Sequence, residues 1–304
     1  MSDVVVLGSL NMDLVVRTER IPRPGETVHG HDFRTVPGGK GANQAAAAAR
    51  LGADVHMLGR VGSDAFGDEL LQNMRRQGVG TDHVLRDPEA PSGNAMILVQ
   101  SDGENSIVVT PGANGRVSVA DVDDAKEMLE KARFVVMQFE VPLPVVGYAI
   151  GLAASLGAEV ILNPAPAYPV EPAFLQGVYC LVVNETEAET LSQVAVSGIE
   201  TATEAGRRLQ DLGIPVVIIT LGALGALFLD RDETLHVPTR TVEVVDTTAA
   251  GDAFIGGLVA SLNRSMPLPD AVRYATCAGT LATTVLGAQT SLPTQEQVDA
   301  FFAQ

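Results

Sequence analysis

The sequence contains no tryptophan, and aromatic residues make up only 4% of it. Little is available to stack a nucleobase on. Positive charge is also scarce. Twenty lysines and arginines face 37 aspartates and glutamates, a formal net charge of −17. Nucleic acid and anionic lipid both need a basic face, so neither is expected as a partner. An anionic substrate would need a locally positive site against this background. Cysteine is limited to Cys180 and Cys277, each among apolar or small residues, with no CxxC pair. They read as buried free thiols of a reducing compartment. No apolar run approaches the ~18 residues of a membrane helix. The first residues, MSDVVVLGSLNMD, lack the basic start of a signal peptide. The five histidines are scattered and suggest no metal site. The expectation is a soluble, cytoplasmic protein.

What is present is core-forming material. Hydrophobic residues make up 46% of the 304, enough for one large α/β domain or a domain with a small appendage. Short β-branched runs alternate with helical patterns. Strands are expected at 4–8, 54–62, 133–140, 158–166, 177–185 and 214–222, and helices at 41–52, 64–78, 121–131, 142–156, 186–193 and 201–212. Continuous apolar runs such as RFVVMQFE suit strands buried on both faces of a parallel sheet. The pattern predicts a doubly wound, mostly parallel sheet flanked by helices. The chain closes with helices at 252–262, 268–286 and 295–302.

Residues 12–36 and 93–110 break this rhythm. The second reads as a hairpin, GNAMILVQ and NSIVVT joined by the turn SDGE. Together the two regions read as a small antiparallel sheet serving as a lid, or as ordinary surface hairpins.

Residues 246–254, DTTAAGDAF, raise the question of function. A strand over 240–246 is expected to run in and a helix to run out. Small residues let other groups approach the backbone, and the bare amides of a helix start form an anion site. Ala249, Ala250 and Gly251 would supply amides, with Asp252 aimed at the same space. Asp252 is then either a base beside an anion hole or an N-cap. A second glycine loop, PGGKGANQA (37–45), opens another helix. It fails the Walker pattern because Gly41 follows Lys40, and it fails GxGxxG because position 44 is Gln. Gly38, Gly39, Lys40 and Asn43 could hold a polar ligand there, or the loop could be a simple turn.

These motifs, with GSLNMD (8–13), GNAMI (93–97), PGAN (111–114), LNPAPA (162–167), NETEAE (184–189), TLGALGA (220–226) and GAQTSLP (287–293), resemble the ribokinase branch of the PfkB carbohydrate kinase family over essentially the whole chain. The resemblance implies a single ribokinase-like domain over 1–304 and ATP-dependent phosphorylation of D-ribose at O5. It implies Asp252 as general base and the amides of 249–252 as the anion hole. Sugar contacts would come from Asn11, Asp13, Gly39, Lys40, Asn43, Ala95, Ile97 and Glu140. Nucleotide contacts would come from Asn184, Glu187, Thr220, Gly222, Gly225, Gly251 and Thr276, with Glu187 reaching Mg2+ through water. Taken alone, NETE could equally be an Asn-capped helix start, and TLGALGA a tight hairpin turn. A monovalent cation, K+, would be held by Asp246, Thr248, Ala282, Val285, Gly287 and Ser291. The lid strands have exposed edges that need covering, so a homodimer joined through the lid is expected.

The sequence departs from the family pattern at Ala253 and Gly115, and at Thr276, where Asn is often found beside the adenine. Other readings are a kinase of another sugar or nucleoside, such as fructose or deoxyribose, and a non-catalytic sugar or nucleotide sensor.

Overall fold

The computed structural model describes residues 4–101 and 104–304. Chain order begins β1 (Val4–Leu7), β2 (Asn11–Thr18), β3 (Gly30–Gly38), α1 (Lys40–Arg50), β4 (Val55–Gly62), α2 (Ala65–Arg76) and β5 (Gly80–Asp87). It continues with β6 (Gly93–Val99), β7 (Asn105–Thr110), α3 (Val119–Asp124), α4 (Lys126–Leu129), β8 (Phe134–Gln138), α5 (Leu143–Ser155), β9 (Glu159–Asn163) and β10 (Val178–Asn184). The last third holds α6 (Glu185–Ser192), α7 (Ile199–Gln210), β11 (Val216–Thr220), β12 (Ala226–Leu229), β13 (Thr234–Val237), α8 (Ala250–Asn263), α9 (Leu268–Ala282) and α10 (Gln295–Phe302).

Nine strands form one sheet in the order β13-β12-β11-β10-β9-β8-β1-β4-β5. All its pairings are parallel except the β11–β12 and β12–β13 hairpins. Side chains alternate across it, as strand pleating requires. Val5, Leu7, Val135 and Met137 join a core layer with α5 and α7. Val4, Val6, Phe134 and Val136 join the opposite layer with α1, α8 and α9. Burial on both faces explains why these strands read as unbroken apolar runs.

The alanines of α1 let α8 approach closely. Ala45 to Ala48 are fully buried, and a Cβ placed on Gly256 would come within 2.3 Å of the Ala47 Cβ. Helix α2 starts where Asp64 accepts from the Gly67 amide at 2.8 Å, and it ends on Arg75 and Arg76, which oppose the dipole.

A second sheet has the order β3-β2-β6-β7. Its two outer pairings are antiparallel, and the central β2–β6 pairing is parallel. The expected β6–β7 hairpin is present, but Asp102 and Gly103 of its turn lie outside the described residues, as do Met1 to Asp3.

Three local expectations are corrected. Residues 240–246 form no strand. The Val245 and Asp246 amides both bond the Thr283 carbonyl, at 2.8 and 3.1 Å, so they follow the end of α9 rather than a sheet edge. A strand that was not anticipated, β5, closes one side of the large sheet. The helix expected over 268–286 stops at Ala282, because the Thr283 and Thr284 hydroxyls turn back onto the Thr280 and Leu281 carbonyls.

Candidate active site

Chain winding reverses between β1 and β8, which are neighbours in the sheet. Such a switch point opens a crevice at the carboxyl ends of the strands. Polar residues collect there: Ser9 after β1, Glu140 after β8, Asn163 ending β9, Asn184 ending β10 and Thr220 ending β11. A cleft of about 230 Å³ is lined by Lys40, Asn184, Glu187, Thr220, Ala249, Gly251 and Asp252, among others.

Asp252 lies in the first turn of α8, which no side chain caps. The alternative left open by the sequence, that Asp252 is a cap, is thereby excluded. Its two oxygens accept from Asn43 Nδ2 at 2.9 Å and Gln44 Nε2 at 3.0 Å. Burial pushes its pKa up, and Lys40, Asn43 and Gln44 pull against that rise. Ala249 precedes the helix in the left-handed region, with φ of 59°, which a small side chain tolerates best. The Gly251 and Asp252 amides belong to the turn where helices lack internal acceptors. The Ala250 amide is instead taken up by the Thr247 carbonyl at 3.2 Å.

A second polar group, outside the lining of that cleft, meets it at Lys40 and Asp252. Glu140 accepts from Ser9 Oγ at 2.5 Å and from the Lys40 amide at 3.1 Å. Asn114 Nδ2 donates to Asn11 Oδ1 at 2.7 Å. Asp13 lies over Gly38, where a Cβ would come within 2.4 Å of its Oδ2. Burial first, then Glu140 and Asp252, push the Asp13 carboxyl up to about 7. Gly39 has φ of 91°, and a Cβ there would meet the Asn11 amide at 2.8 Å, so glycine is required. Ala95 pairs with Asp13 across β2–β6, and Ile97 follows on the same face. Asn43 Oδ1 is buried without a partner, an acceptor that a ligand hydroxyl would satisfy.

Lys40 stands between the two halves. Burial works against its ammonium, but Asp252, Glu140 and Glu187 more than offset this and hold its pKa above the usual lysine value. On the other side, Asn184 and Glu187 form a capping box: Asn184 Oδ1 accepts from the Glu187 amide at 2.8 Å, and Glu187 Oε2 accepts from the Asn184 amide at 3.0 Å. The cap is real, and Glu187 still lines the cleft. Burial raises its pKa against Asn184, Lys40 and Asn163. Thr220 Oγ1 donates to the Val183 carbonyl at 3.3 Å. Gly222 and Gly225, with φ of 51° and 95°, make the turn into β12. Thr276 is not in this cleft. It lines a second cavity of about 290 Å³ with Thr280, Arg240 and Cys277, and its hydroxyl donates to the Val272 carbonyl.

Three of the six residues expected around a monovalent cation, Asp246, Thr248 and Gly287, are bonded together. Asp246 Oδ1 accepts from the Thr248 amide and hydroxyl at 2.9 and 2.7 Å, and Oδ2 accepts from the Gly287 amide at 2.8 Å. This joins the 246–248 and 282–291 segments, and their oxygen donors fit a hard cation. Glu187 and Asp252 are the two carboxylates that line the cleft. Among the described residues, no group of three or more His, Cys, Asp or Glu side chains is arranged to hold a metal.

Ser9, Gln44, Asn114, Gln138 and Asn163 belong to this polar assembly and were not singled out from sequence. Four of the five lie inside motifs that were, and Gln138 lies in the apolar run RFVVMQFE. Gln138 gave the clearest signal, a glutamine closing the apolar run FVVMQ at zero exposure, because buried amides are retained where they are bonded.

A carboxylate beside bare helix-start amides, at the switch point of a parallel sheet, defines an α/β protein built to bring an anion to a polar acceptor. The chain belongs to the pfkB family of carbohydrate kinases, whose model matches residues 1–295. It is 41% identical over 312 residues to the ribokinase of Schizosaccharomyces pombe, covering 99% of this chain and 98% of that one. It is 39% identical over 302 residues to a deoxyribokinase of Salmonella typhi, covering 99% of both. The structure of Arabidopsis thaliana ribokinase complexed with ribose and ATP superposes with a TM-score of 0.93 at 31% identity, over 100% of this chain and 99% of that one.

Proposed function

We propose that this chain phosphorylates D-ribose at O5 with ATP, giving D-ribose 5-phosphate and ADP. The observation that carries the reading is the Asp252 carboxylate, gripped through both oxygens beside the Gly251 and Asp252 amides. The ribose O5–H gives its proton to Asp252 as O5 attacks the γ-phosphorus, and the bond to the ADP oxygen breaks. The first-turn amides of α8 receive the charge of the transferring group. A carboxyl with a raised pKa suits this work near neutral pH. Asn11, Asp13, Lys40, Asn43 and Glu140 would orient the sugar hydroxyls, with Gly39, Ala95 and Ile97 closing around the ring.

ATP would lie along Asn184, Thr220, Gly222, Gly225 and Gly251, with its base towards Thr276. Glu187 would reach Mg2+ through water, and the ion bound to ATP would neutralise phosphate charge. Asp246, Thr248, Ala282, Val285, Gly287 and Ser291 would hold K+, which would stiffen the loop ahead of α8. The β3-β2-β6-β7 sheet is read as the lid of a single domain over 1–304. Its exposed Phe33, Met96, Ile107, Val108 and Val109 support a homodimer through the lid. Two buried unpaired thiols, Cys180 and Cys277, favour a cytoplasmic location, and among the described residues no helix is long and apolar enough to cross a membrane.

ADP release should be measured with ATP and a panel of ribose, 2-deoxyribose, fructose and nucleosides. Ribose is expected to give the highest kcat/KM. The deoxyribokinase likeness makes 2-deoxyribose the critical comparison, and a preference for it would redirect the assignment. No turnover with any acceptor would favour a sensor.

A further inference from the structure

Gln44 follows Asn43 on α1 and is 1% exposed. The direction of its hydrogen bonds can be worked out from the one partner that cannot turn over. The Val182 carbonyl only accepts, so the group 3.0 Å from it is Asn163 Nδ2. Asn163 Oδ1 must then face away, and it lies 3.2 Å from Gln44 Nε2. The same nitrogen is 3.0 Å from Asp252 Oδ1. Gln44 Oε1 is left to accept, and Gln138 Nε2 donates to it at 2.6 Å. Gln138 itself packs where Gly8 has no side chain, since a Cβ there would lie 2.0 Å from its Oε1. Reversing the Gln44 amide would set oxygen against oxygen at both Asp252 and Asn163.

We propose that Gln44 is a positioning residue for phosphoryl transfer, a donor anchored to the backbone that fixes the rotamer of the Asp252 carboxylate and keeps it able to accept a proton. The proposal rests on reading Asp252 as the base. Asn43 holds one carboxylate oxygen and Gln44 the other, so the group cannot rotate without losing a bond. The charged groups that act on Asp252 are Lys40, Glu140, Asp13 and Glu187. Three carboxylates and burial favour its protonated form, against one ammonium and two amides. A protonated carboxyl cannot take the sugar proton, so a fixed N–H aimed at Oδ1 matters more here than in a polar site. Asn163 Nδ2 is also 3.3 Å from Glu187 Oε2. One amide chain therefore runs from the base to the carboxylate on the nucleotide side.

The test compares pH profiles of kcat/KM for wild type, Gln44→Met and Gln44→Glu, with Asp252→Asn as control. Methionine keeps the length of the side chain and removes the donor. In Gln44→Met the acid limb should move up by about one pH unit, as expected for a carboxylate that loses a donor to its charged form. The loss of rate should appear in kcat and shrink as pH rises. Gln44→Glu still accepts from Gln138 and should shift the limb further by adding a like charge. An unmoved acid limb in a folded Gln44→Met, or in Gln44→Glu should methionine not be tolerated, overturns the proposal even where Asp252→Asn is inactive. An active Asp252→Asn overturns the base assignment itself, and the Gln44 proposal with it.

Discussion

Replacing Asp13 with asparagine should flatten the pH dependence of stability below neutrality. In the folded protein this carboxyl is pushed from 3.8 up to about 7 by burial, Glu140 and Asp252. The folded chain therefore binds this proton more tightly than the unfolded chain does. The resulting stabilisation is complete below about pH 3.8 and lost as pH rises through about 7. A gap of about three pH units corresponds to about 4 kcal/mol between those limits. Other carboxylates titrate in both proteins, so the quantity to follow is the difference between wild type and Asp13→Asn. Urea unfolding without sugar, at fixed ionic strength from pH 4.5 to 8.5, measures it. Wild type should lose stability relative to the variant by about 1.4 kcal/mol per pH unit below 7, and the two curves should run parallel above. A difference that stays constant across the range refutes the crowding of Asp13 by Glu140 and Asp252. The same variant should raise KM for ribose, because it no longer offers the sugar a carboxyl at this position.

Asp252→Asn should lower kcat by roughly 10²–10⁴-fold, the scale of a lost general base, with an unchanged circular dichroism spectrum; near-normal turnover contradicts the role given to it. Gly256→Ala should destabilise by about 1–3 kcal/mol through overpacking, since the new methyl would meet the Ala47 Cβ at 2.3 Å; an unchanged Tm would mean that α1 and α8 are free to part. Exchanging K+ for a bulky organic cation should lower kcat, and indifference to the monovalent ion counts against the Asp246–Gly287 site. Val108→Lys, on a strand exposed along its length, should convert a dimer to a monomer by light scattering, and a wild type that is already monomeric removes the lid interface from the account.

The parallel sheet was legible because its strands are buried on both faces. VVVL, FVVMQ and VVIIT carry no polar interruption before their last residue. β5 was not, because it is an edge strand with mixed burial, and GTDHVLRD shows no clean period. The run RTVEVVD misled for the opposite reason. Its residues favour extended backbone, yet among the described residues it pairs with no strand, and Val244 and Val245 are left exposed. β-propensity reflects fit to a neighbouring surface, and a sequence does not display that neighbour. The motifs hold most of the residues that converge around Lys40 and Asp252, but the Gln44 contact was hidden because its amide direction depends on the distant Val182 carbonyl, reached through Asn163.

The electrostatics of the site carry this point furthest. An acidic chain that binds an anionic substrate was expected to make its site locally positive. The residues that converge are instead Asp13, Glu140, Glu187 and Asp252 around Lys40, delivered by separate parts of the chain. Such a cluster repels a polyphosphate unless other charge intervenes. The Gly251 and Asp252 amides supply partial positive charge that no residue count reveals. In the proposed reading cations would supply the rest, at Glu187 with the nucleotide and at the 246–248 and 282–291 segments that Asp246 joins. In the proposed reading Asp13, Glu140 and Asp252 would face the carbohydrate, and an ionised carboxylate oxygen can accept from a hydroxyl. The same group of residues could thus be acidic towards a sugar and still tolerate a phosphoryl group in transfer, provided that the anion meets backbone rather than side chains. That division of labour explains why α8 begins with residues that have almost no side chain.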